Sequence, residues 1–292
     1  MTAPKTKIAV LGGGSWGTAV AYILAVKGHE VALWVRRAEL ASTMARTRVN
    51  SAYLPAISLP EQVHITSDFA DIGDSNVLVG AVPSFAMRDL LANLTSLESI
   101  NPETTSWVNL TKGIEYHSAT KSLITMSDLV RQKLGFENVL SLSGPSFALE
   151  VAAGSPTTVV LAGSSHKIAA KHQAIFSTDR FRVYTSDDLI GVELGGVFKN
   201  IIAIAAGISD GLGFGENAKG ALISRGLVEM TRLGTQLGAQ KETFFGLAGL
   251  GDMVISAMSN KSRNHQVGQR VGAGESLNEI VKSMEMVAEG VY

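Results

Sequence analysis

The chain has 292 residues, more than one ordinary α/β domain needs, so two domains with a sizeable core are expected. Its net charge of -1 gives no electrostatic case for nucleic acid or an anionic membrane surface. The absence of cysteine excludes a disulfide framework, a thiolate nucleophile and a Cys-ligated metal, and it fits a reducing, cytoplasmic setting.

The chain start lacks the basic, apolar and small-residue regions of a signal peptide, which also points to the cytosol. Residues 8–18, IAVLGGGSWGT, then run an apolar strand pattern into Gly12, Gly14 and Gly17 in GxGxxG spacing. In a dinucleotide site the first glycine permits the strand-to-helix turn, the second lets backbone approach the pyrophosphate and the third allows close helix packing. The free N–H groups of the new helix complete the anion site. A helix over residues 16–27, stopped by Gly28, and a second strand over 30–35 put the motif in a βαβ context. The alternative is that the glycines merely tighten a turn.

The second strand ends in Trp34, Val35, Arg36 and Arg37, with no Asp or Glu for the ribose hydroxyls of NAD. Two guanidinium forks suit a 2′-phosphate, so NADP(H) is the preferred cofactor, with NAD(H) also allowed. Solvated surface charge is the competing reading of the arginines.

Further β-rich runs at 77–82, 105–110, 139–142, 157–162 and 182–184 alternate with helical stretches. The pattern predicts an α/β fold, an N-terminal Rossmann-type doubly wound parallel sheet over residues 1–188. After Asp188 the strands cease and Ala- and Leu-rich helical segments follow, as at 193–207 and 218–237, predicting an all-helical domain over 189–292. The apolar stretch 194–208 contains Lys199 and Asn200 and is too short to cross a bilayer, so it reads as a buried helix and no membrane insertion is expected. Ligands of open parallel sheets bind beyond the strand carboxyl ends. There the chain places Pro83 and Ser84, then Thr111, Lys112 and Gly113, then Gly144, Pro145 and Ser146, each also compatible with ordinary turn chemistry.

Lys199 lies inside GGVFKNIIAIAAG, where burying an amine is costly without a partner or purpose. An unperturbed lysine, with a pKa of about 10.4, already serves as a proton donor, whereas acting as a base requires desolvation to lower it. Snorkelling to solvent or pairing with Glu193 is the alternative. Asn200 can align a substrate or satisfy a buried carbonyl. Asp252, after GLAGLG, can orient Lys199, accept from a substrate hydroxyl or cap a helix. Ser262, Arg263 and Asn264 precede a helix predicted to start near His265, forming either an anion site or a cap plus a surface arginine. Gly211, Gly213 and Gly215 follow a helix rather than a strand and read as turn residues. The six histidines show no metal-ligand spacing, no metal site is expected, and no GxSxG elbow is present.

Five ordered blocks carry a family resemblance: GGGSWGTA, NLTKGIE at 109–115, SGPSFALEV at 143–151, GGVFKNIIAIAAGISDGLGFGENAKGALISRGLVEM, and GLAGLGD with the later SRN. Together they cover essentially the whole chain, which resembles the bacterial NAD(P)-dependent sn-glycerol-3-phosphate dehydrogenases. The resemblance implies reduction of dihydroxyacetone phosphate to sn-glycerol 3-phosphate, a triose phosphate reaction feeding glycerophospholipid synthesis. By the same analogy Lys199 transfers the proton, and Lys112, Gly144, Ser146, Asp252, Ser262, Arg263 and Asn264 bind substrate. Ser15, Trp16, Arg36, Arg37, Ala148, Val287 and Glu289 join the glycines at the cofactor, with Lys112 and Arg263 also reaching it. A homodimer is compatible with this reading. The family runs several tens of residues beyond an EGV motif, whereas this sequence ends at Gly290, Val291 and Tyr292, so a chain truncated before its terminal helices is expected. Two other functions fit the residues: a related two-domain hydroxy-acid dehydrogenase, and a catalytically silent NADP(H) sensor.

Overall fold

The computed structural model describes residues 5–117 and 121–292. Up to residue 187 the elements are β1 (Lys7–Leu11), α1 (Ser15–Val26), β2 (Glu30–Trp34), α2 (Ala38–Thr47), β3 (Val49–Asn50), β4 (Leu54–Ser58), β5 (Val63–Thr66), β6 (Val77–Gly80), α3 (Met87–Thr95), β7 (Ser106–Asn109), β8 (Ile114–His117), β9 (Ser122–Thr125), α4 (Met126–Leu134), β10 (Val139–Ser143), α5 (Ala148–Ala152), β11 (Thr157–Gly163), α6 (His166–Phe176) and β12 (Phe181–Ser186). Beyond it come α7 (Leu189–Gly211), α8 (Gly215–Gln236), α9 (Lys241–Phe245), α10 (Asp252–Met258), α11 (Arg263–Gly272) and α12 (Leu277–Ser283). Two compact units result. The first holds Met1–Thr111, Glu115–Leu142 and Ser146–Asp187, and the second holds Lys112–Ile114, Ser143–Pro145 and Asp188–Tyr292.

Unit 1 is the doubly wound sheet expected, ordered β12-β11-β10-β7-β6-β1-β2-β5. The run from β5 through β2, β1, β6, β7 and β10 is parallel, and β11 is parallel to β12. Along β1, Ile8 and Val10 enter one core cluster while Ala9 and Leu11 enter another. Both faces are therefore covered, which is why the strand reads as an unbroken apolar run rather than an alternating one. The next strand in sequence, β2, lies on one side of β1 and β6 on the other, so the order reverses beside the carboxyl end of β1. That is where an open sheet offers its ligand crevice. The edge strand β5, the antiparallel β3–β4 hairpin and the small β8–β9 sheet leave no clear pattern in the sequence, because runs such as VHIT are too short to declare a period.

Unit 2 is built around α7. Leu194 and Phe198 of that helix pack with Met230 of α8, Phe244 of α9 and Met253 of α10. Asp188 caps it, accepting at Oδ1 from the Gly191 N–H at 3.0 Å, while Oδ2 accepts from the Gln240 N–H and the Thr243 hydroxyl and ties in α9. The helix runs 23 residues rather than the fifteen of its apolar stretch 194–208, long and apolar enough by those criteria to cross a bilayer, so length does not exclude a span. Burial supplies the better reason: 67% of its apolar window is covered by the rest of the protein, as in a core helix.

Candidate functional site

In unit 1 the backbone forms an anion-binding turn between β1 and α1. Gly12 has φ +133°, and a Cβ there would lie 2.5 Å from the Ala81 carbonyl oxygen, so the turn requires glycine. Its N–H donates to Trp34 O at 3.0 Å, anchoring the loop to β2. A Cβ on Gly17 would lie 2.0 Å from Gly12 O, which fixes how tightly α1 folds back on the loop. A Cβ on Gly14 meets no protein atom within 4 Å, so packing within the chain does not require glycine there and the backbone is open to close approach from outside. Helix α1 begins at Ser15 with no side-chain cap, leaving its first N–H groups to the turn's outer face. These features fit a dinucleotide pyrophosphate.

Other predicted cofactor residues surround this turn within unit 1. Arg36 and Arg37 are exposed, and Arg37 donates from Nη2 to the Tyr53 hydroxyl at 3.3 Å, its guanidinium 5.8 Å from the Tyr53 ring centroid. Tyr53 went unnoticed in the sequence because nothing local connects it with residue 37. Trp16 is partly buried, its ring centroid 6.4 Å from that of Phe181, so it also packs the core. Ala148 opens α5, which packs on α1. Ser146 belongs to unit 1, whereas Gly144 sits in unit 2 with φ +137°.

In unit 2 three side chains, Lys112, Lys199 and Ser256, meet at the buried carboxylate of Asp252. Asp252, 2% exposed, begins α10; its Oδ2 accepts from Lys112 Nζ, and Oδ1 lies 3.2 Å from Lys199 Nζ. Lys199 Nζ also donates to Ser256 Oγ at 2.7 Å, and that hydroxyl donates to Asp252 Oδ1 at 3.3 Å. Asp252 is therefore a helix residue whose carboxylate is spent on two lysines. Ser256 was missed in the sequence, although a residue four places after Asp252 on a helix shares its face.

Electrostatics follow from that packing. Burial pushes the Lys199 ammonium down to about 8; Asp252 opposes the shift, while Lys112 and Arg263 reinforce it. Burial alone would raise the Asp252 carboxyl, but the Lys112 and Lys199 ammonium groups outweigh it and hold the group below the ordinary carboxylate range. The result is a buried anion beside an amine whose pKa is lowered to about 8. Such a pair can give or take a proton.

At the start of α11, Ser262 Oγ accepts from the His265 N–H at 3.4 Å, so Ser262 is the cap and the helix begins at Arg263 rather than near His265. Arg263 is not simply a surface arginine. Burial lowers its pKa, and the nearby Glu289 carboxylate opposes that shift. Asn264 donates to Asn200 Oδ1 at 2.8 Å and accepts from the Gly290 N–H at 3.0 Å. Asn200 thus holds α11 through Asn264, next to Lys199 in sequence. Glu289 opens a short turn, Glu289–Val291, and Val287 is partly buried just before it.

Comparison with known proteins places these features in a wider set. Residues 7–169 match the model described as NAD-dependent glycerol-3-phosphate dehydrogenase N-terminus, and residues 188–292 match the corresponding C-terminus. A glycerol-3-phosphate dehydrogenase [NAD(P)+] of Citrifermentans bemidjiense is 50% identical over 98% of this chain and 84% of its own length. One from Chlorobium phaeobacteroides is 48% identical over 98% and 85%. The crystal structure of glycerol-3-phosphate dehydrogenase from Coxiella burnetii superposes with a TM-score of 0.92 at 40% identity, covering 99% of this chain and 86% of that one.

Proposed function

Since this chain belongs to the NAD-dependent glycerol-3-phosphate dehydrogenase family, we propose that it is an NAD(P)-dependent oxidoreductase that reduces dihydroxyacetone phosphate to sn-glycerol 3-phosphate, reversibly, for glycerophospholipid synthesis. The observation that carries the chemistry is the Lys199–Asp252–Lys112–Ser256 cluster. The Gly12–Gly17 turn and Arg36 and Arg37 would hold the dinucleotide, aided by Ser15, Trp16, Ala148, Val287 and Glu289. A nicotinamide held there would supply or accept the hydride. In the reducing direction Lys199 gives its proton to the carbonyl oxygen as the carbon is reduced, and in the reverse direction its neutral amine takes the hydroxyl proton. Asp252 stays ionised and holds both lysines in place. Lys112, Arg263 and the first turn of α11, with Ser262 and Asn264, form a cationic clamp for the substrate phosphate, and Gly144 and Ser146 line the substrate.

Two exposed guanidinium groups and the lack of a carboxylate at the end of β2 support a preference for NADP(H) over NAD(H). A cytoplasmic location is supported by the cysteine-free composition. Exposed Ile201, Phe214 and Leu233 of unit 2 offer apolar surface to a homodimer. Initial rates with dihydroxyacetone phosphate and each reduced cofactor test the reaction. Oxidation of neither NADPH nor NADH, despite cofactor binding, would favour the silent sensor, and turnover of hydroxy-acid ketones instead would favour the related dehydrogenase. Arg36→Asp combined with Arg37→Ala is expected to reverse the cofactor preference. An unchanged NADPH to NADH ratio would remove the 2′-phosphate role of the arginines.

A further inference from the structure

Asn50 ends β3, outside every motif that marks the cofactor turn, and is fully buried. Its side-chain amide donates to the Gly13 carbonyl at 2.9 Å and to Thr18 Oγ1 at 2.8 Å, and its Oδ1 accepts from the Tyr53 N–H at 3.3 Å. Both donors of the amide are thus used on the junction between the glycine turn and the first turn of α1. The peptide joining Gly13 to Gly14 is trans and planar, so its C=O and N–H point in opposite directions. With the Gly13 oxygen held on buried Asn50, the Gly14 N–H is aimed away from Asn50. Thr18 in turn donates its N–H to Gly14 O at 2.9 Å, so Asn50 grips both ends of the turn that offers those N–H groups.

Three residues later the same segment reaches the other end of the cofactor site. Tyr53 accepts from Arg37 Nη2 and lies under its guanidinium, leaving Arg37 fewer conformations than a free surface arginine has. We propose that residues 50–53 form a strut that aims two groups at two phosphates of one dinucleotide: Asn50 positions the Gly14 amide for the pyrophosphate, and Tyr53 positions Arg37 for a 2′-phosphate. Neither residue touches the reacting atoms. The inference rests on the reading of the glycine turn and Arg37 as cofactor groups, and it divides the labour between affinity and selectivity. Asn50 serves NADPH and NADH alike, whereas Tyr53 serves NADPH alone.

The test is titration of the full chain with NADPH and NADH, followed by nicotinamide fluorescence, for Asn50→Ala, Asn50→Asp, Tyr53→Ala and Tyr53→Phe. Asn50→Ala is expected to weaken both cofactors about tenfold with the ratio between them unchanged. Tyr53→Ala is expected to weaken NADPH alone by about threefold to tenfold, and Tyr53→Phe, which keeps the ring, by less. In rate assays KM for the cofactor rises by a larger factor than kcat falls. If Asn50→Ala unfolds, Asn50→Asp decides: its carboxyl regains a donor toward Gly13 O when protonated, so its cofactor deficit shrinks as the pH is lowered. A deficit constant with pH, or Asn50 variants that bind as the parent does, overturns the role of Asn50; a Tyr53→Ala ratio equal to the parent's overturns that of Tyr53. A parent chain that binds neither cofactor, or a ratio indifferent to Arg36 and Arg37, instead sinks the underlying cofactor reading.

Discussion

The glycine turn of unit 1 and the ionic cluster of unit 2 are built on opposite physical plans. The turn is contiguous and neutral, and the polar groups it offers are backbone amides between a β-strand behind and a helix ahead. The cluster draws Lys112, Lys199, Asp252 and Ser256 from three separate stretches, and its working parts are charges removed from water. The first is expected to be sensitive to added volume, since a Cβ at Gly12 or Gly17 meets backbone; the second is expected to be sensitive to charge, since its lysine and carboxylate shift each other's protonation. Binding a dinucleotide needs fixed dipoles, while moving a proton needs a group whose charge changes within the working range.

The largest effect expected is on proton transfer: Lys199→Met is predicted to lower kcat about 10²- to 10⁴-fold while cofactor affinity, measured by titration, stays near that of the parent. A folded variant that keeps its rate would break the contrast at its centre. Next, Asp252→Asn leaves two lysines without their shared anion, and chemical denaturation should show a loss of about 3 kcal/mol. It should also lower Lys199 further, because its counter-charge is gone. Gly17→Ala should act in the opposite register: the added methyl drives the turn apart, costing about 1–3 kcal/mol and weakening both cofactors, with no movement in the pH profile.

The smallest effect is the most discriminating. For the parent chain, with protonated Lys199 as the proposed donor, the kcat/KM of carbonyl reduction should fall as pH rises through about 8, and that of alcohol oxidation should rise through the same region. Ser256→Ala removes a hydroxyl acceptor that favours the ammonium, so both limbs should move to lower pH by less than about one unit. A shift to higher pH would show that Ser256 does not stabilise the charged lysine.

Much of the geometry of the glycine turn was legible in sequence because its constraints are local. A positive φ at Gly12, a close approach at Gly17 and the strand on each side all fall within one βαβ unit, and the residue types record them directly. Lys199 was legible for another local reason: a charge inside an apolar helix demands a partner. What it pairs with was left open, because the partner lies 53 positions away and the alternative, Glu193, was nearer in sequence. The hairpin bearing Asn50 and Tyr53 left no signal, since its strands are short and its contacts to Gly13 and Arg37 exist only after folding.

By itself the sequence determined the doubly wound sheet, the change to helices after Asp188, the glycine turn and the candidate lysine, all properties of neighbouring residues. Only the tertiary structure decided that Asp252 is shared by two lysines, that Ser256 joins them, that Arg263 is half-buried rather than simply exposed, and that Asn50 grips the turn. The division has one physical cause. Backbone conformation and periodicity are written in adjacent residues, whereas desolvation and charge pairing depend on what distant segments bring into contact.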